Sequence, residues 1–251
     1  VDGHYLPGLS ERYEVSSDEC TYTFYLRRDV TFHDGTPFNA QAVKFSLDRA
    51  HDPANNSQLA GSLLGSYHQS HVIDDYTVTI ILDEPYALLL DALSQGWLAP
   101  ISPTAVAKLG KEFARHPVGT GPFVFDRWKA GKCIVIKRNP DYRWPPTLVA
   151  NQGAAHLDEI IFRFLPDNAA RTSALESGVV DAIFYVAPDD CARLRAEGSY
   201  YLETLPIRGI PVCMMMNIEK SPTDELAVRQ AISHAMDRDA LVTEVFHDEF
   251  K

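Results

Sequence analysis

Between Glu159 and Tyr185 the sequence changes its hydrophobic period twice, and that change narrows the possible folds more than any single motif does. The stretch from His156 opens with a strand, Asp167 or Asn168 can cap a helix that Gly178 ends, and Val180 to Tyr185 returns as a strand. This order predicts a crossover unit with a parallel strand pair, and hence an α/β layer with a cleft at its edge. Pro188-Asp189-Asp190 then opens a further helix, where carboxylates sit at the positive end of the helix dipole; capping accounts for them without catalysis.

The first third is organised differently. Thr21 to Arg27 alternates Tyr22, Phe24 and Leu26 against Thr21, Thr23, Tyr25 and Arg27, the pattern of a half-buried strand. His33-Asp34-Gly35 makes a turn, and Asn39 is placed to cap a helix over about residues 40–50 whose apolar face carries Val43 and Leu47. A second strand lies in the stretch ending Tyr76-Thr77-Val78-Thr79-Ile80-Ile81-Leu82, and Pro85 opens a short apolar helix. Near the C-terminus Leu226, Ala227, Ile232, Ala235 and Met236 form one stripe of an amphipathic helix.

Gly119-Thr120-Gly121 invites comparison with a phosphate-binding loop. Such a loop works because backbone N–H groups and a helix N-terminus converge on the anion, so its glycines precede a helix. Here Pro122 removes a donor, and Phe123-Val124-Phe125 and Cys133 to Ile136 flank a Lys-Ala-Gly-Lys turn, which predicts a hairpin. The glycines are expected to let the chain turn tightly between substructures.

Composition excludes several classes of function. With 251 residues, 45% of them hydrophobic and 23% charged, the chain is globular and large enough for one large or two ordinary domains. A net charge of −11 with no basic patch argues against nucleic acid, whose binding rests on Lys and Arg displacing counterions. No apolar run approaches a membrane span, and the N-terminus has no leader pattern. Cys20, Cys133, Cys191 and Cys213 are scattered without a CxxC pair, which argues against structural zinc; Cys133 and Cys213 sit in apolar runs expected to be buried. His68 and His71 lack the spacing and glutamate of a helical metalloprotease and are expected in a loop. Met214, Met215 and Met216 occupy a strand-like run between Pro211 and Asn217 whose default is core. No nucleophile elbow or Ser/His/Asp signature is present, so nothing demands an enzyme, a metal or a cofactor.

Four blocks in order carry a resemblance. Pro7 to Ala50, Val118 to Trp144, Leu157 to Tyr185 and Ser221 to Val242 are similar to successive blocks of the extracellular solute-binding proteins of family 5, the oligopeptide-, dipeptide- and nickel-binding components of ABC importers. The match runs from Leu6 to about Val242, close to the whole chain. The resemblance implies a type II periplasmic binding protein-like α/β fold: a lobe with a mixed sheet flanked by helices, a smaller α+β domain, and a second lobe mostly absent, family members being roughly twice this length. It divides the chain into 1–116 as the smaller domain, 117–217 as part of the first lobe and 218–251 as the start of the second, and makes the Gly119–Gly121 segment a structural return between them.

The resemblance also implies a function without covalent chemistry. Two lobes close on a small solute, a short peptide in the leading reading, and a permease in the membrane reads the closed state. A complete member is expected to be a monomer, periplasmic or lipid-anchored. Asn217 matches the asparagine that closes the family's strand before the second lobe, with Met215 and Met216 beside it; these three are the candidate ligand-binding residues. A nickel chelate is the alternative solute, suggested by the block Ser221 to Met236, and a transcription regulator using this domain as its sensor is the alternative context.

Overall fold

The computed structural model describes residues 5–203 and 213–246. It divides into two compact units between Phe164 and Leu165.

The first unit is built on a four-stranded antiparallel sheet in the order β1-β2-β4-β3, from β1 (Ser10–Val15), β2 (Thr21–Leu26), β3 (Tyr67–Asp74) and β4 (Thr77–Leu82). The alternation of β2 is realised: Tyr22 and Leu26 are buried. Its partner β4 aligns Tyr22 with Ile80 and Phe24 with Val78, so the apolar residues of both strands share one face. Helix α1 (Ala40–His51) covers that face. Asn39 caps it, its Oδ1 accepting from the Ala42 amide at 3.0 Å, and Leu47, 2% exposed, seals the sheet beneath it. Phe32 and Phe38 close the other end of the core edge to face, ring centroids 6.1 Å apart. Each such buried side chain contributes roughly 1.5–3 kcal/mol relative to exposure.

Around this core sit α2 (Gln58–Leu63), α3 (Leu89–Ser94) and α4 (Pro103–Leu109). The apolar helix expected from Pro85 thus begins at Leu89, after the proline rather than on it. His68 and His71, expected in a loop, lie in edge strand β3, because Ser70 and Val72 pair across to Ile80 and Val78 and carry the histidines into the ladder with them.

The remainder of the first unit is a second antiparallel sheet, β5-β6-β7, from β5 (Phe123–Lys129), β6 (Cys133–Arg138) and β7 (Glu159–Arg163). The predicted hairpin is β5–β6, and Gly131 sits in its turn at φ 69°, a conformation costly for a side chain bearing a Cβ. Strand β7 pairs antiparallel with β6, aligning Ile160 with Ile136.

The second unit holds α5 (Asn168–Glu176), α6 (Pro188–Glu197), α7 (Leu226–Ala235) and α8 (Arg238–Phe246). Asp167 caps α5, accepting from the Ala170 amide at 2.8 Å, and Gly178 at φ 70° ends it. The returning strand is not formed: residues 180–185 make no ladder, and the expected parallel pair is absent among the described residues. A strand exists only where a neighbour satisfies its backbone, and Tyr185 stands at φ 60°, outside the extended region. Helix α7 carries its apolar stripe with none of its residues buried.

Candidate functional site

The Val118–Pro122 crossing settles what its glycines do. All five carbonyls accept: Val118 from the Ser102 amide at 3.1 Å, Gly119 from the His33 amide at 2.9 Å, and Pro122 from the Asn139 amide at 2.9 Å. Thr120 accepts from the Trp144 indole Nε1 at 2.9 Å, and Gly121 from His33 Nε2 at 2.9 Å and Asn139 Nδ2 at 3.2 Å. A segment held by its oxygens is the electrostatic opposite of an anion cradle, which presents N–H groups. The chain bends at residues 120–122, yet neither glycine adopts a positive φ and a Cβ on either would meet open space, so the tight turn expected of them does not draw on glycine's freedom.

The same crossing is tied to a polar cluster. Ser102 caps α4 by accepting from the Ala105 amide at 3.1 Å and donates its proton to Asp34 Oδ2 at 2.5 Å. Asp34 Oδ1 accepts from the Thr36 amide at 3.1 Å and its hydroxyl at 2.6 Å. Burial disfavours the Asp34 carboxylate, but these hydrogen bonds outweigh it and hold the group below its usual range.

In the second unit the candidate ligand-binding residues lie on an open segment. Met215 is 91% exposed, Met214 61%, Asn217 exposed and Met216 half-buried. The expected core strand is therefore absent over 213–217, and Pro211 lies outside the described residues. Asn217 is fixed by its own turn: Oδ1 accepts from the Glu219 amide at 2.9 Å and its carbonyl from the Thr223 hydroxyl at 2.6 Å. Cys213 is exposed rather than buried, whereas Cys191, which carried no such expectation, is buried; Cys133 is intermediate.

Sequence reasoning missed Phe184 and Tyr185, which are 74% and 83% exposed. Their composition predicts a strand; in the structure they are consecutive exposed aromatics on irregular backbone. Arg171 of α5 holds that backbone, donating to the Tyr185 carbonyl at 3.2 Å and to the carbonyls of Leu165 and Pro166 at 2.8 and 2.9 Å. A non-glycine residue at positive φ whose carbonyl is held by a half-buried cation is the kind of strain that collects at functional surfaces. The available signal is two consecutive aromatics a few residues ahead of a proline-led helix.

The acidic pair at α6 also does more than complement the dipole. Asp190 accepts from Arg193 at 2.9 Å and from the Thr172 hydroxyl at 2.9 Å, tying α6 to α5, and Arg193 above all holds its carboxyl low. His68 pairs with Asp83 at 2.9 Å, and no group of three metal-ligating side chains occurs among the described residues.

The family model for "Bacterial extracellular solute-binding proteins, family 5 Middle" matches residues 4–251. The chain belongs to the family 5 solute-binding proteins. The glutathione-binding protein GsiB of Escherichia coli O1:K1 / APEC is 37% identical over 238 residues, 95% of this chain and 45% of GsiB. Among solved structures, NikZ from Campylobacter jejuni in complex with Ni(L-His) superposes with a TM-score of 0.79 at 25% identity, over 96% of this chain and 47% of NikZ. The periplasmic binding protein DppA from Helicobacter pylori in complex with peptide STSA gives 0.79 at 26% identity, over 97% and 50%. This family 5 chain thus spans about half the length of the curated relatives it matches. The mixed α/β architecture is that of periplasmic binding proteins, and these relatives are binding proteins, not enzymes.

Proposed function

We propose that this family 5 chain captures a short peptide for an ABC importer, with glutathione, itself a tripeptide, as the leading candidate. The supporting observation is the 37% identity to a glutathione-binding protein across 95% of the chain. The peptide bound to DppA, a relative of the same fold, supports the wider class. On this reading Met215, Met216 and Asn217 contact the solute, and the exposed Phe184 and Tyr185 supply further apolar surface. Exposed methionines suit a site that reads main-chain groups and tolerates varied side chains, because an unbranched thioether repacks at little cost. The protein works outside the cytoplasmic membrane, delivers its solute to a membrane permease, and acts as a monomer; no described helix is long and apolar enough to cross a membrane.

A second reading rests on NikZ and its nickel–histidine complex. A preformed chelate needs few protein ligands, which suits a surface without a cluster of metal-ligating side chains among its described residues. Calorimetry on the full-length protein separates the two. Saturable one-to-one binding of glutathione or short peptides supports the first; silence toward them with tight uptake of nickel–histidine replaces it with the second.

A further inference from the structure

We propose that His33 is an acid-sensitive latch: its neutral ring pins the Val118–Pro122 crossing to the 33–36 turn, and protonation at Nδ1 frees the ring toward the adjoining cavity and loosens that crossing. The Gly121 carbonyl fixes the tautomer. Nε2 lies 2.9 Å from the Gly121 carbonyl, which can only accept, so Nε2 carries the hydrogen and Nδ1 of the neutral ring is a bare lone pair. That Nδ1 is buried without any hydrogen-bond partner. The backbone repeats the attachment two residues away, the His33 amide donating to Gly119 at 2.9 Å. One residue thus grips the crossing twice.

A proton at Nδ1 creates a buried charged donor facing no acceptor, the costliest state for a polar group. Relief lies in a cavity of about 210 Å³ lined by His33, Asp34, His116, Phe125 and Asp126. Every titratable group on its wall bears on the outcome. Asp34, on the same turn, favours the charged ring but is already engaged by Ser102 and Thr36. Asp126 on β5 is paired with Lys137 at 3.0 Å and with Arg127. His116 packs edge to face on Phe125 at 5.8 Å and has its Nδ1 3.2 Å from the Glu112 carbonyl. A swung-out imidazolium would meet the Asp34 and Asp126 carboxylates, whose remaining lone pairs can still accept, whereas the pinned Nδ1 has no acceptor. Burial above all holds the folded ring below its ordinary value, with the Gly121 bond and Asp34 opposing. The unfolded chain then binds this proton more tightly, so the latch is whole above about pH 6.5 and is lost as pH falls toward the folded value. The inference does not depend on which solute is bound.

The test uses the full-length protein, titrated from about pH 8 to about pH 4 while the imidazole nitrogens and the Trp144 indole N–H are followed by NMR. The expected result is Nε2–H with bare Nδ1 at neutral pH, protonation midway below about pH 6.5, and a Trp144 signal that moves in step, since its partner Thr120 lies on the crossing. His33→Gln, which can still donate to Gly121 but cannot titrate, should flatten thermal stability: between about pH 7.5 and pH 5 the wild type loses roughly 3 °C more in Tm. An Nδ1–H tautomer, a midpoint at or above about 6.5, or parallel stability curves would overturn the latch. If His33→Gln does not fold, the wild-type titration decides alone.

Discussion

The Tyr67 hydroxyl donates to Asp48 Oδ1 at 2.6 Å, binding edge strand β3 to the last turn of α1. The same oxygen receives the hydroxyl of Ser70, 1% exposed, at 2.8 Å, and burial, reinforced by the Asp48 carboxylate, pushes the phenol well above its usual value. Tyr67 is therefore both packing and polar partner. Tyr67→Phe keeps the ring but strands the Ser70 hydroxyl, while Asp48 retains Lys44 at 2.6 Å. The expected loss is about 1–3 kcal/mol in urea unfolding, with an unchanged denaturant slope. The double variant Tyr67→Phe, Ser70→Ala should recover part of it, having removed both polar groups.

Trp144 reports on the crossing. It is 5% exposed against 65% for Trp97 and 45% for Trp128. Trp144→Phe should remove the blue-shifted component of tryptophan emission and leave the Thr120 carbonyl without its indole donor. The predicted cost is roughly 2–4 kcal/mol, from the lost hydrogen bond and a small void. A variant with unchanged stability would mean that the crossing is held without it.

Asp34 contributes to the acid limb. Its folded carboxyl lies below the unfolded value, so its contribution is whole above about pH 4 and drains as pH falls through the folded value. Asp34→Asn should lower stability at neutral pH and make the decline in Tm below about pH 4 shallower than in the wild type. Parallel curves would assign the acid limb to other carboxylates.

How much of this was legible in advance depended on how local the cause was. Asn39 as the cap of α1, Asp167 as the cap of α5 and Gly131 in the β5–β6 turn follow from bonds made within three residues or from one φ angle, and sequence carries those directly. Residues 180–185 and 213–217 have the composition of strands, yet a strand is a relation to a neighbour, and composition holds no record of whether one is present. His33 shows a third case. Its turn was readable, but the bare Nδ1 exists only because Gly121, 88 positions away, places a carbonyl against Nε2. Four ordered blocks revealed the family where single motifs did not, because Gly119-Thr120-Gly121 alone points to a phosphate that its own carbonyls would repel.

The candidate ligand surface makes a separable prediction. Met215 is so exposed that Met215→Asp should leave folding within about 0.5 kcal/mol of wild type while weakening solute affinity at least about tenfold, through a charge placed in an apolar wall. Asn217→Ala removes the acceptor that fixes the turn at Glu219 and should weaken affinity with a modest loss of stability. Equal affinity in both variants would move the site off this segment.

Titration calorimetry of glutathione into the full-length protein decides whether this chain belongs to a protein that captures a short peptide. The predicted result is a saturable one-to-one isotherm with a dissociation constant of about 10 μM or tighter, weakened by Met215→Asp. A flat titration with glutathione and with di- to tetrapeptides, from protein that unfolds cooperatively, would contradict it.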